Sequence, residues 1–367
     1  MPMIPLVDVK AQYAPLIPEL KERLGEVLES GRFILGPNVA AFEEEAASYL
    51  GVPATIGVGN GTDAIVLVLR AMGIGAGDEV ICPSFTFYAT AEAIVQAGAT
   101  PVFADIDPAT LNLDPEDVAA RITPRTKAIM PVHLFGRPAP HDALAALGVP
   151  IVEDAAQAFG ARGVAATGVA STFSFFPTKN LFALGDGGLV AVTDTELGER
   201  VRMLRFHGSR DKKDFHLIGF NSRLDELQAA ALRLFLPHLG GWNAARREAA
   251  AHYSELGLGE VCEVPFDEAG HVYHMYVVRA AERDRIAEAL AAAEISCASY
   301  YVTPLHLQPA LRFLGWEAGS LPETERVARE NLALPMWAGI DEAAQERVVS
   351  VVRDAVAVGA PAAGGAR

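Results

Sequence analysis

Cysteine is scarce in this chain: Cys82, Cys262 and Cys297 are three in 367 residues, widely spaced and without a CxxC pair. That spacing excludes a disulfide framework and a cysteine zinc site, and no metal site is expected. It suits a reducing compartment. No run of 18 apolar residues occurs, so no membrane span is expected. The opening stretch, "MPMIPLVDVK", lacks a basic region followed by a long apolar segment, so no signal peptide is expected and a cytoplasmic location follows. Positive charge is in deficit: 30 Lys and Arg stand against 46 Asp and Glu, for a net charge of −16. That balance argues against a nucleic-acid binder or a polybasic membrane module. It leaves room for a small phosphorylated substrate held by local basic groups. No internal repeat is found. The last stretch, "GAPAAGGAR", has few bulky side chains and reads as a frayed tail.

What is present reads as globular: 51% of residues are hydrophobic and 21% charged. The length is too great for one ordinary domain and short for three. Short apolar, β-branched runs recur at 54–58, 79–83, 101–105, 127–133, 150–154, 172–176 and 188–192. Helical patterns such as "TDAIVLVLRAMG" and "ATAEAIVQAG" lie between most of them. This alternation predicts an α/β fold with a seven-stranded, mainly parallel sheet covered on both faces. Beyond Ser222 come two long helical stretches with Gly240-Gly241 between them, then an alternating strand at 271–280 and a helix. We read a large domain over 1–240 and a smaller C-terminal α/β domain over 241–367.

Four segments carry candidate chemistry. The first strand runs into "GVGNGTDAI", where glycines let backbone N–H groups approach an anion at a helix N-terminus. Thr62 and Asp63 are equally readable as plain N-caps. A dinucleotide fingerprint would want an acidic residue at the end of the second strand, and that strand ends "ICPSF". The aromatics Phe85, Phe87 and Tyr88 follow it, either as core or as a face for a flat ligand. The fifth strand ends in Glu153-Asp154, with Gln157 three residues on. A carboxylate at a buried strand end needs a partner. It either caps a helix or pairs with a protonated ring nitrogen. In "FSFFPTKNLFALGDGG" a single lysine, Lys179, follows an apolar strand and Ser174. Read alone, a lysine there either caps the strand and points into water or is held inside by a partner, and the stretch itself does not decide. In an open α/β sheet, however, these strand ends share one rim. An amine, a carboxylate, an aromatic face and an anion cradle are together what pyridoxal phosphate requires.

The motifs "SGRFILGP", "GNGTDAI", "PSFTFYAT", "TPRTKAIMPVHLFG", "IVEDAAQAFGA", "FSFFPTKNLFALGDGG", "GFNSRLDELQAA", "TPLHLQPA" and "LALPMWAGI" span nearly the whole chain. With them the sequence resembles the DegT/DnrJ/EryC1/StrS family of sugar aminotransferases, fold type I pyridoxal-phosphate enzymes. The resemblance implies that Lys179 forms the Schiff base and that Asp154 pairs with the pyridine nitrogen. It implies that Gln157 contacts the ring hydroxyl side, that Phe87 stacks on the ring, and that Gly61, Thr62, Asp63 and Ser174 bind the phosphate. Asn221 would reach the phosphate of the partner subunit, which implies a homodimer with shared sites. Tyr301 and His306 would lie near the sugar. The implied reaction moves an amino group from an amino acid, usually glutamate, through pyridoxamine phosphate to a nucleotide-linked keto sugar. Relatives with histidine in place of the lysine are dehydratases, and Lys179 argues against that chemistry. Another pyridoxal-phosphate reaction and a non-catalytic regulatory protein remain as alternatives. The run "HGSRDKKDF" places Arg210, Lys212 and Lys213 together, as a solvated loop or as a contact for pyrophosphate.

Overall fold

A computed structural model of the protein describes residues 3–266 and 268–359. The tail expected to fray lies, beyond Gly359, outside the described residues. Seven strands follow in the expected order: β1 (Ala54–Val58), β2 (Glu79–Pro83), β3 (Thr100–Ala104), β4 (Thr126–Ile129), β5 (Val152–Asp154), β6 (Ala170–Ser174) and β7 (Gly188–Val192). One ladder runs β3-β2-β4 and another β5-β6-β7-β1. They join where the chain beyond β4 meets β5: the Asp154 N–H donates to the Pro131 carbonyl at 2.9 Å, and the His133 N–H to the Asp154 carbonyl at 3.0 Å. Parallel bridges pair Ile129 with Ile151 and Val132 with Asp154. β7 runs antiparallel to both its neighbours, and the remaining pairs are parallel.

These strands are apolar on both faces because helices cover both. β2 and β7 are buried at every position. The helix Gly61–Ala71 buries Ile65, Val66, Leu67, Val68 and Leu69, and it packs with Ile56, Val80 and Val190 on one face of the sheet. On the other face Phe42, Phe173, Phe175, Leu232 and Phe235 pack together. β6 starts two residues earlier than the apolar run suggests. Its chain leaves the ladder before Pro177, and Lys179 sits in a turn whose N–H donates to the Phe176 carbonyl at 2.8 Å. Lys179 is therefore carried by a turn beyond the strand.

After the helix Glu226–Phe235 a 3₁₀ turn, Leu236–His238, leads into the helix Leu239–Glu255. The glycine pair expected between helices, Gly240-Gly241, instead lies in the first turn of this second helix. A two-stranded antiparallel ladder follows, β8 (Tyr276–Arg279) with β9 (Asn331–Leu334). The pattern at 271–280 anticipates β8 but nothing anticipates β9. Its four residues follow directly on the helix Pro322–Glu330, with no turn residues to separate them. Tyr253, Tyr276, Ile286, Val348 and Val352 form the core beside this ladder, and Ile4 joins it through a bridge to Ile295.

One close approach sets the rim of the large sheet. A Cβ built on Gly188, where β7 begins, would lie 2.3 Å from the carbonyl oxygen of Asn60, where β1 turns into its helix. Only glycine lets the two segments touch. Gly188→Ala should therefore destabilise the fold by about 1–3 kcal/mol through overpacking, read as a lower chemical-denaturation midpoint. An unchanged midpoint would mean that the Asn60 turn gives way freely.

Candidate active site

The strand ends enclose a cavity of about 660 Å³, within the range of small-molecule sites, roughly 300–1,000 Å³. Of the residues expected at the site, Gly61, Thr62, Asp63, Phe87, Asp154, Gln157, Ser174, Lys179 and Tyr301 line it. The structure does not bring Asn221 or His306 into it.

The anion cradle is the start of the helix Gly61–Ala71. The N-cap is Asn60, not Thr62 or Asp63: its side-chain oxygen accepts the Asp63 N–H at 2.8 Å. That bond occupies the Asp63 amide and leaves the Gly61 and Thr62 N–H groups as the unpaired donors of the first turn. A Cβ on Gly61 would sit 2.7 Å from the Ser174 Cβ, so the absent side chain brings the Ser174 hydroxyl onto the cradle. The Ser174 Oγ accepts from the Phe176 N–H at 3.3 Å, which leaves its own proton free to donate.

Asp154 is buried at the end of β5. It caps no helix, because residues 155–161 form turns. Its carboxylate accepts the Thr90 hydroxyl at 2.7 Å and the Ala156 N–H at 3.2 Å. Burial pushes its pKa up, while these bonds and the charges of Lys179 and His133 pull it down. Lys179 is half-buried, and its Nζ makes no hydrogen bond among the described residues. Burial lowers its pKa to about 8, with the Asp154 charge pulling the other way. A lysine so tuned is a competent nucleophile and base near neutral pH. Glu153, beside Asp154, points the other way. It takes the Ser171 hydroxyl and the Ala165 N–H and lies 3.5 Å from the His133 ring.

The three aromatics after β2 separate cleanly. Phe85 is fully buried and Tyr88 packs against the core, whereas Phe87 is 58% exposed and lines the cavity. Its ring lies 6.2 Å from that of Tyr301. Gln157 is fixed from two sides: its oxygen accepts the Phe135 N–H at 2.6 Å, and its amide donates to the Tyr301 hydroxyl at 3.1 Å. His306 is buried away from the cavity, between the Ser84 hydroxyl at 2.7 Å and the Glu325 carboxylate at 3.2 Å. Asn221 is exposed and takes a bond from Arg223. Thr90 and His274 went unassigned in the sequence. Thr90 closes the "PSFTFYAT" motif, and His274 alternates with apolar residues in "HVYHMYVV", a pattern that reads as plain strand.

The residues present fit pyridoxal phosphate on their own chemistry. An unbonded amine and a buried carboxylate share a cavity, and a glycine cradle that a Cβ would fill closes one end of it. The architecture is that of fold type I pyridoxal-phosphate enzymes. A family model described as the DegT/DnrJ/EryC1/StrS aminotransferase family matches residues 16–353. The chain belongs to that family. It is 47% identical, over 96% of its length and 98% of the relative's, to a pleiotropic regulatory protein of Geobacillus stearothermophilus. It is 44% identical, over 95% of its length and 97% of the relative's, to UDP-N-acetyl-3-dehydro-alpha-D-glucosamine 3-aminotransferase of Acidithiobacillus ferrooxidans. Among solved structures, S. venezuelae DesV in complex with ketimine intermediate matches with a TM-score of 0.93 at 43% identity, covering 96% of this chain and 98% of that one.

The Lys179–Asp154 coupling is directly measurable. Asp154→Asn removes the charge that favours the ammonium, so the Lys179 pKa should fall below about 8. Labelling of Lys179 by an acylating reagent at pH 7, in the full chain stripped of cofactor, should then quicken by roughly threefold to tenfold. An unchanged rate would show that the two groups do not sense each other.

Proposed function

We infer that this protein is an aminotransferase that uses pyridoxal phosphate and an amino-acid donor, with glutamate expected, to convert a nucleotide-linked keto sugar to an amino sugar. The observation that carries the reading is the unbonded Lys179 amine in one cavity with the buried Asp154 carboxylate and the Gly61 cradle. The cofactor, when bound, supplies the electron sink for the carbanion formed at the amine-bearing carbon. The protein's residues do the rest. The Gly61 and Thr62 amides and the Ser174 hydroxyl hold the phosphate, and Phe87 offers its exposed ring as a stacking face. Asp154, kept in place by Thr90, holds the proton on the ring nitrogen. Lys179, as a free amine, takes the proton from the amine-bearing carbon of the donor and returns one in the second half-reaction. Tyr301, oriented by Gln157, stands on the same wall for the sugar. His306 supports the loop that follows Tyr301 rather than meeting the sugar itself. A cytoplasmic location is part of this reading, and among the described residues no helix is long and apolar enough to cross a membrane.

Charge supports a site completed by a second copy of the chain. Among the described residues that line the cavity, Lys179 is the sole lysine or arginine, against Asp63, Glu92, Asp154 and Asp186. A cofactor phosphate and a pyrophosphate need more positive charge than that. Basic groups gather elsewhere: Lys212 and Arg223 lie over the Phe206 ring, at 4.9 and 5.9 Å, and Phe206 pairs with Asn221. Phe215 and Ile218 beside them are exposed. A two-fold dimer would bring this cluster, with Arg210 and Lys213, to the partner's cavity, and bring the partner's to its own.

The name of the Geobacillus relative raises a second reading, a regulatory protein with the enzyme fold. The donor half-reaction separates the two without knowledge of the sugar. With ¹⁵N-glutamate the cofactor-loaded protein should release 2-oxoglutarate, and a panel of dTDP- and UDP-linked 3-keto and 4-keto hexoses should yield a ¹⁵N-amino sugar. Lys179→Ala should abolish both. No 2-oxoglutarate from the loaded wild type is the regulatory outcome. The shared site has its own test, in mixtures of Lys179→Ala and Asn221→Asp chains. Each mixed dimer would hold one intact site, so roughly a quarter of wild-type activity should return with random exchange and independent sites. Activity at the level of the parents, with exchange confirmed by differently tagged chains, would place Asn221 at its own chain's site.

A further inference from the structure

The stretch "PSFTFYAT" beyond β2 sets Thr86 and Thr90 four residues apart, with Phe87 between them. The chain turns there. The Thr90 N–H donates to the Phe87 carbonyl at 3.2 Å and the Glu92 N–H to the Tyr88 carbonyl at 3.0 Å, where the helix Ala89–Gln96 begins. A spacing of four around a helical turn puts two side chains on one side. The Oγ1 atoms of the two threonines stand 3.2 Å apart. Thr90 is fully buried, and Thr86, 1% exposed, lines the cavity that holds Lys179 and Asp154.

The carboxylate decides which way these hydroxyl protons point. An ionised carboxylate only accepts, so the Thr90 proton goes to Asp154 Oδ2, 2.7 Å away. The Thr90 oxygen is then the acceptor for the Thr86 proton. Oδ2 thus ends a relay that runs from Thr86 through Thr90, and in such a chain each bond polarises the next. Oδ1 takes the Ala156 N–H at 3.2 Å. The titratable groups whose charges reach this carboxylate are Cys82 on β2, His133 beyond β4, Lys179 beyond β6, and Tyr301. Among the described residues none of them hydrogen-bonds its side chain. One hydroxyl and one amide are its side-chain partners, and both work against the burial that favours the neutral acid.

We propose that Thr86 is a positioning residue for Asp154, acting through Thr90: its hydroxyl proton strengthens the bond at Oδ2 and so keeps the carboxylate an acceptor. A carboxylate without that support is more basic and draws to itself the proton it is meant to hold on the ring nitrogen. The same turn carries the Phe87 ring, so the stacking face and this brace are held together. The inference rests on Asp154 being the partner of the ring nitrogen. Its test reads Asp154 itself in cofactor-free protein, so it can fail while turnover by the loaded enzyme stands.

The full chain, stripped of cofactor and carrying carboxyl-¹³C aspartate, reports the Asp154 titration, its signal being the one lost in Asp154→Asn. Thr86→Val keeps the branched shape and removes the hydroxyl, and its Asp154 midpoint should rise by about 0.5–1 pH unit. Thr90→Val loses a bond to the charged group directly and should raise the midpoint by about 1–2 pH units. Thr86→Ser keeps the hydroxyl and should titrate with the wild type. The double valine variant should titrate with Thr90→Val alone, because Thr86 acts only through its neighbour. An unmoved midpoint in Thr86→Val overturns the proposal. So does a Thr86→Val shift that persists in the Thr90→Val background, which would give Thr86 a route of its own to the cavity. If Thr90→Val fails to fold, the Thr86 pair still decides, and equal midpoints in Thr86→Val and Thr86→Ser overturn the proposal.

Discussion

The structure turns on a buried carboxylate, Asp154, with no cation bonded to it among the described residues. A group like Asp154 is expensive to bury, and only hydrogen bonds and nearby charge make it tolerable. Thr90 supplies one bond from the helix after β2, and Ala156 supplies another from the turn after β5. The lysine whose charge offsets it arrives on the turn after β6. Two distant segments, the helix after β2 and the turn after β6, must therefore close on β5 before this one group is satisfied. The main chain of Asp154 is also the seam of the sheet, since its N–H and carbonyl join β5 to the chain beyond β4. Fold and site share the residue, and strain at either is felt at the other.

The polar side chains around this centre are arranged in layers of decreasing freedom. Glu153, Asn180, Asn243 and Arg246 are buried and occupied with backbone groups or with one another. Gln157, Tyr301 and His274 each have one side committed to the frame and one towards the cavity. Lys179 and the Ser174 proton are uncommitted. That gradient is what preorganisation means physically: the groups that meet a ligand lose little freedom in doing so, because their neighbours were fixed on folding.

The electrostatics of the cavity are lopsided. Acidic groups line it with a single amine, which suits a cationic ring nitrogen and a protonated lysine but not phosphates. The local answer is the helix N-terminus at Gly61, whose partial charge and free amides receive an anion without a basic side chain. The acidic chain as a whole, at −16, discourages non-specific anions and leaves binding to specific donors.

Much of the fold was legible in the sequence because parallel strands buried on both faces announce themselves as short apolar runs. The seven strands appeared in order, with edges shifted by a residue or two except at β4, which ends at Ile129 where the apolar run extends to 133. β9 escaped because four apolar residues directly after a helix carry no local mark, and Gly240-Gly241 misled because glycine in a first helical turn costs little when packing holds the helix. At the site, the residue types at strand ends pointed to Lys179, Asp154, Ser174 and the Gly61 turn, and motif resemblance added Phe87, Gln157 and Tyr301. Tertiary structure alone decided the rest. It chose Asn60 over Thr62 and Asp63 as the cap. It left His306 supporting a loop and Asn221 on the surface. Chain order and residue chemistry are local properties, so the sequence carries them. Which way a side chain faces, and which proton it keeps, depends on partners that meet only when the chain has folded.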